Sequence, residues 1–304
     1  MLNRRNFIQQ GSAALAGLGL IGWPITTYSK ERFTKVTILH TNDVHSRIEP
    51  FPAGGKRAGL GGFARRAALL KQIRMQEEHV VLLDAGDMIQ GTAYFNLFNG
   101  DLEIKLMNEL KYDAVTIGNH DFDAGMNGLN NMIERASFPF VNSNYNFSNT
   151  LVNNKVYPHH IIERGPVKIG VFGLGIELDG LVPPDKYGET MYNNPLNAAD
   201  NTAYFLKNNM SCDLVICMSH LGIAYDFEKP SDTVLAQSIN NIDLIIGGHT
   251  HTLLPSPKEF KNPAGQRVLV NQVGWAGTHV GLIEYFFEKK SGKNRVQAHT
   301  VIPV

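Results

Sequence analysis

Of 304 residues only two are cysteine, Cys212 and Cys217. They stand five apart, on and just before one apolar run that reads as a strand. That spacing places them on opposite faces, roughly 16 Å apart at the rise of a strand. This is beyond disulfide reach, so both are expected to be buried thiols, neither bridged nor zinc-binding. Charge of one sign is also lacking. Lys plus Arg and Asp plus Glu number 28 each, which offers nucleic acid no basic surface. No internal repeat, low-complexity tract or proline-rich linker divides the chain. An apolar content of 43% is that of a globular protein, and the length suits one large α/β domain.

A long apolar run is missing as well. Asn3-Arg4-Arg5-Asn6-Phe7-Ile8 precedes a weakly apolar stretch from Ala13 to Ile25, broken by Gly17, Gly19 and Gly22. It falls well short of the ~20 residues of a membrane-spanning helix. The arginine pair ahead of it resembles a twin-arginine export signal, read by a bacterial translocase for folded proteins. Residues 1–30 are therefore expected to be a signal peptide, with the periplasm or cell envelope as destination. No small-x-small cleavage site stands out from Ile25 to Lys30, so an uncleaved signal serving as a membrane tether belongs to the expectation.

What is present is a set of five short apolar runs, each ending in Asp, His or Asn. Val36–Leu39 leads to Asp43 and His45, Val80–Leu83 to Asp84 and Asp87, and Ala114–Ile117 to Asn119, His120 and Asp123. Leu214–Met218 leads to His220, and Leu244–Ile246 to His249 and His251. Runs this rich in Val, Ile and Leu read as strands buried on both faces of a mostly parallel sheet, where ligands bind beyond the carboxyl ends. One histidine at a strand end is ordinarily a satisfied packing residue; five loaded endings predict one metal site. The i, i+2 spacing of Asp43 with His45, and of His249 with His251, would aim each pair to one side of a strand.

Between these runs helical spacing covers Leu60–Glu78, Leu102–Leu110 with Asp101 as N-cap, and Gly125–Arg135. Further helices are read over Pro195–Asn208 and Ser231–Ile239. Strands fit Phe138–Asn142, Val156–Ile162 and Val167–Gly173, the last two joined by a Gly165-Pro166 turn. Arg267–Val270, His279–Phe287 and Val296–Val301 are expected to form an antiparallel system finishing a second sheet.

Asp43-x-His45, Gly86-Asp87, Gly118-Asn119-His120-Asp121, His220 and Gly248-His249-Thr250-His251 resemble the calcineurin-like metallophosphoesterases. The wording Leu39-His40-Thr41-Asn42-Asp43-Val44-His45, Asp84-Ala85-Gly86-Asp87 with Gln90-Gly91, and Gly118-Asn119-His120-Asp121-Phe122-Asp123 is similar to their 5′-nucleotidase branch. The resemblance spans Val36 to Val304. It implies a four-layer α-β-β-α sandwich, two mixed sheets flanked by helices, as a catalytic domain over 34–304. It also implies two divalent cations bridged by Asp87. Asp43, His45 and His251 would complete one shell, and Asn119, His220 and His249 the other. A donor set mixing imidazole and carboxylate suits Mn, Zn or Fe better than Mg or Ca. By the same resemblance His120, oriented by Asp123, contacts the phosphoryl oxygens, and Asn119 and His120 bind substrate.

The substrate implied is a small phosphoester, a nucleoside monophosphate foremost. The nucleoside-binding C-terminal domain of the two-domain nucleotidases has no counterpart up to Val304, so a substrate domain supplied in trans is one expectation. The twin-arginine-exported thiosulfohydrolases, which bind Mn, share the catalytic domain and form the alternative. A scaffold that lost activity is a third reading, opposed by the complete donor set. Other residues read as structural: His79, His159, His160, His279 and His299, His40 as a packing residue, and Asp84 and Asp121 as supports of the metal loops. Arg47, Lys56 and Arg57 read as solvated charge, and Trp275, Phe260 and Tyr225 as packing near the site.

Overall fold

The computed structural model describes residues 32–288 and 294–304; the arginine pair and its apolar stretch lie outside them. Strand β1 (Phe33–Thr41) pairs in parallel with β2 (Val80–Asp84), and β2 with the short β3 (Ala114–Val115). In each, alternate side chains enter different cores. Leu39 and Leu82 join a cluster with Leu70, Ile104, Met107 and Leu129, whereas Ile38, Val81 and Leu83 face the second sheet. The helices over the first cluster are α1 (Phe63–Gln76), the short α2 (Ala93–Phe98), α3 (Asp101–Leu110) and α4 (Gly125–Arg135).

A two-residue pair, β4 (Tyr145–Asn146) with β7 (Met191–Tyr192), stands apart. The second sheet begins with the hairpin of β5 (His159–Arg164) and β6 (Val167–Gly175), which turns at Gly165-Pro166 as expected. After α5 (Pro184–Tyr187) and α6 (Pro195–Tyr204), β8 (Leu214–His220) pairs in parallel with β6. Helix α7 (Asp232–Ser238) then leads to β9 (Leu244–Gly247), parallel to β8. Outside β9 lie β11 (Arg267–Asn271), parallel to it, and the antiparallel edge strand β10 (Lys258–Lys261). On this sheet Ile216, Met218, Leu244 and Ile246 face the first sheet. Val215, Cys217 and Ile245 face α6 and α7. The result is helix, sheet, sheet, helix, with the middle core closed by side chains of both sheets. Each fully buried Leu, Ile or Val there contributes about 1.5–3 kcal/mol of transfer free energy.

Several expectations are corrected. The C-terminal strands do not finish one sheet. β11 belongs to the second, while β12 (His279–Glu288) and β13 (Asn294–Pro303) form a hairpin that completes the first beside β1. Segment 138–142 makes only isolated bridges, Val115 with Phe140 and Val141 with Tyr157. The cap of α3 is Gly100, with φ 93°; Asp101 lies in the first turn and pairs with Arg135. Helix α1 starts at Phe63 because Gly62, at φ 98°, lets the chain turn against Pro50, where a Cβ would stand 2.8 Å from its ring.

Cys212 and Cys217 are free and buried, as expected, yet both enter the outer core. Cys212 precedes β8 in a turn closed by its N–H on Leu206 O, so strand alternation does not reach it. Burial pushes both thiols up. Among the described residues no helix is long and apolar enough to cross a membrane.

Candidate metal centre

The carboxyl ends of β1, β2, β3, β8 and β9 meet along one edge, and the loops leaving them are stitched together. Asp43 N donates to Gly86 O at 2.9 Å, His45 N to Asp87 O at 3.0 Å, and Ala276 N to Asp43 O at 2.7 Å. His249 N donates to both carboxylate oxygens of Asp43, at 3.0 and 3.1 Å. Only His220 lies within its strand. The others stand past the strand ends, so strand alternation is not what aims them. Instead Asp43, His45, Asp87, His249 and His251 all take left-handed backbone, with φ between 49° and 70°. Such conformations cost side-chain-bearing residues roughly 1–3 kcal/mol each and gather at functional sites.

The donors fall into two groups, Asp43 with His45 and His251, and Asp87 with His220 and His249. Within each group the donor atoms lie within 4.8 Å of one another. In the first, His251 Nε2 is 3.4 Å from Asp43 Oδ1 and 3.0 Å from His45 Nε2. In the second, His220 Nε2 is 3.1 Å from Asp87 Oδ2. The groups adjoin: Asp87 Oδ2 is also 3.7 Å from His45 Nε2. Asn119 Oδ1 lies 2.9 Å from His249 Nδ1. All seven residues expected as ligands are thus brought together.

Donor chemistry fits divalent cations. His220 Nδ1 bonds Ala85 O at 2.7 Å; a carbonyl only accepts, so Nδ1 carries the hydrogen. Nε2, buried and without a hydrogen bond of its own, faces Asp87 with a proton or a cation to stand between them. Burial lowers the pKa of His220, but the Asp87 carboxylate outweighs it and pushes the group up to about 10. Asp87 feels burial in the opposite sense and is nevertheless held well below the carboxylate range by His220 and His45. His249 is pushed down to about 4 by burial and by His220, which leaves its ring neutral and able to donate a lone pair. A cation in each group would neutralise the carboxylates that the fold packs together.

Supports lie behind these donors. Asp84 accepts from Thr41 Oγ1 at 2.5 Å and from Gly86 N at 2.9 Å, and burial raises it to about 7. Asp121 accepts from the backbone N–H groups of Asp87, Met88 and Gly118, which fixes the Asp87 loop; burial and the Asp87 charge raise its pKa. A Cβ at Gly118 would collide with Asp87 Oδ1, so only glycine lets the β3 loop approach. Two supports escaped the sequence reading. Asn42 joins Asp43 Oδ2, Gly274 O and Val273 N, and Gln272 accepts from Thr250 and donates to Gly248 O. Asn42 stands inside the first motif and could have been suspected; Gln272 carries no local signal.

His120 sits at the rim, its ring 5.3 Å from that of His45. Its Nδ1 is 2.8 Å from Asp123 Oδ2, and its backbone N–H donates to Asp87 Oδ1 at 2.8 Å. The Asp123 bond raises its pKa above the ordinary histidine value against the effect of burial. Among the aromatic residues, Trp275 stacks on His251 and reaches the site. Phe260 does not: it lies on edge strand β10 against the outer core. Tyr225 bonds Leu221 O at 2.6 Å and packs on Phe227. Arg47 and Arg57 lie over the rings of Phe51 and Trp275.

Carboxylates and imidazoles so gathered on a strand-end edge are the equipment of a metal-dependent phosphoester hydrolase. The chain belongs to the calcineurin-like phosphoesterase family, matched over residues 36–253. A snake venom 5′-nucleotidase from Crotalus adamanteus is 34% identical over 278 residues, 84% of this chain and 46% of that protein. The crystal structure of a 5′-nucleotidase precursor from Thermus thermophilus superposes with TM-score 0.79 at 30% identity, covering 89% of this chain and 55% of the other. The Thermus thermophilus sulfate thiohydrolase SoxB shares the fold alone, with TM-score 0.71 at 17% identity over 92% of this chain and 58% of its own. The chain spans about half the length of the curated relatives it matches.

Proposed function

We propose that this chain is an exported phosphomonoesterase that works with two divalent cations on nucleoside monophosphates or related phosphoesters. The observation that carries this reading is the adjacency of the two donor groups through Asp87, 3.7 Å from His45 and 3.1 Å from His220. Asp43, His45 and His251 would hold one cation, Asn119, His220 and His249 the other, and Asp87 both. Bound there, the cations supply an activated water and offset phosphoryl charge. His120, with Asp123 behind Nδ1, turns Nε2 toward the phosphoryl oxygens and steadies the charge that develops on them. Asn119 binds substrate from the same loop. The donor set favours Mn, Zn or Fe.

In this reading the catalytic domain covers 34–304 and the twin-arginine signal 1–30, with the periplasm or cell envelope as location and the signal either removed or kept as a tether. Either the domain acts alone on small phosphoesters with modest selectivity, or nucleoside selectivity comes from a substrate domain supplied in trans. Similarity to 5′-nucleotidases supports the choice of substrate.

The test is metal analysis and a phosphatase panel on reconstituted protein, comparing nucleotides, sugar phosphates, diesters and an aryl phosphate. Two metal equivalents and turnover of monoesters are expected; a metal-loaded protein inert on every monoester would overturn the reading. Changing Arg4 and Arg5 to Lys should abolish export, read by cell fractionation.

A further inference from the structure

Two imidazoles of the centre, His45 and His251, are held unlike their neighbours. His220 is oriented by the Ala85 carbonyl, His249 by the Asn119 amide oxygen and His120 by the Asp123 carboxylate. His251 makes its hydrogen bond through Nε2, the atom turned toward the other donors, and 40% of its side chain is exposed. What fixes its plane is Trp275. The two rings stack with centroids 5.5 Å apart and 10° between their planes, within the range of favourable aromatic pairs. The indole is itself clamped: Phe51 meets it edge to face at 5.9 Å, and the Arg57 guanidinium lies 5.2 Å above its ring. Its ring also meets that of His45 at 6.5 Å, and His45 Nδ1 is buried without a hydrogen-bond partner.

We infer that Trp275 is a positioning residue for the Asp43–His45–His251 group, doing by stacking what a carbonyl or carboxylate does behind other metal-bound imidazoles. The inference rests on reading that group as a cation site. An imidazole that gives its lone pair to a cation draws positive charge onto its ring, and the face of an indole attracts positive charge. The stack is therefore stronger with the cation bound, and by reciprocity Trp275 raises the affinity for that cation. Among the described residues of the centre, the Trp275 ring meets those of His45 and His251, both of the first group. The second group, with buried His220 locked by a hydrogen bond, is linked to the first through Asp87.

Trp275→Leu keeps apolar volume and removes the aromatic face; Trp275→Phe keeps a face. Each is titrated with Mn²⁺ by equilibrium dialysis, with bound metal counted and the unfolding midpoint measured alongside. One equivalent should bind as in the wild type and the other about 10- to 100-fold more weakly, with Trp275→Phe recovering most of the loss. In a His251→Ala background Trp275→Leu should change affinity by less than about threefold, because its partner is gone. Wild-type affinity for both equivalents in Trp275→Leu overturns the inference, as does parallel weakening of both or a loss that persists without His251. A wild-type protein that takes up a single equivalent defeats the two-cation reading instead. The role of Trp275 is then decided by whether that equivalent weakens in Trp275→Leu only while His251 is present.

Discussion

The Ala85 carbonyl fixes the tautomer of His220 from 135 residues away, across 2.7 Å. It leaves a buried Nε2 facing Asp87, and that nitrogen is what a cation of the second group would take up. His220→Ala should therefore lower bound metal from two equivalents to one. Turnover should fall on the order of 100-fold or more, since even residues behind a ligand cost 10–100-fold. Metal analysis beside a steady-state assay checks this; two tightly held equivalents in the variant would mean that His220 is no ligand.

His120 presents the opposite expectation. Its ring belongs to neither donor group, and only its backbone N–H touches Asp87. His120→Ala should keep both metal equivalents and lose roughly 10²–10⁴ in kcat, the usual worth of a group that aids charge or proton movement at the reacting centre. Asp123→Asn, which keeps the shape and weakens the bond to Nδ1, should fall between that variant and wild type. Loss of metal from His120→Ala would reassign the residue as a ligand.

Legibility followed periodicity. Continuous apolar runs gave β1, β2, β8 and β9, because strands buried on both sides leave a plain signature, and the donors beyond them were found for the same reason. β3 keeps only Ala114 and Val115 of its run. The destination of β12 and β13 could not be read, since amphipathic strands state their own alternation and not the neighbour they join. The left-handed backbone falls at Asp43, His45, Asp87, His249 and His251, residue types enriched in that region, yet Asp and His are too frequent in other conformations for type alone to have announced it. The exposed α2, which buries none of its residues, had no period to detect. Supports such as Gln272 arise from tertiary neighbours alone.

A chain of buried polar contacts ties α1 to the metal loops. Arg66 Nη1 reaches Tyr112 OH at 3.3 Å, Tyr112 OH bonds Thr41 Oγ1 at 2.8 Å, and Thr41 bonds Asp84, which holds the Gly86 turn. Arg66 is fully buried, and its Nε and Nη2 already lack partners. Tyr112→Phe strips it of a further acceptor and should cost about 1–3 kcal/mol, the penalty of stranding a buried polar group. Denaturant unfolding measures it. Thr41→Val should be similarly costly and, with the double variant, show non-additivity, because the residues share one network. Additive losses would mean that the chain of contacts is not a unit.

Asp232 contributes a pH dependence to the stability of the fold. It opens α7 beneath the end of β9, fully buried, where the Ser219 hydroxyl and His220 only partly offset the cost of ionising it. Burial pushes its pKa up from 3.8 to about 8. In the unfolded chain the carboxyl ionises near pH 4; in the folded protein it keeps its proton until about pH 8. The folded state therefore binds one more proton across that window. This contribution to stability is complete below pH 4 and is lost as pH rises, by up to about 1.4 kcal/mol per pH unit. Asp232→Asn cannot ionise and has no such slope. Relative to wild type, its unfolding midpoint should improve steadily from pH 5 to pH 8. Thermal unfolding of both proteins at the two pH values, at equal metal loading, decides the matter: an identical difference at pH 5 and pH 8 would show that Asp232 is ionised in the fold.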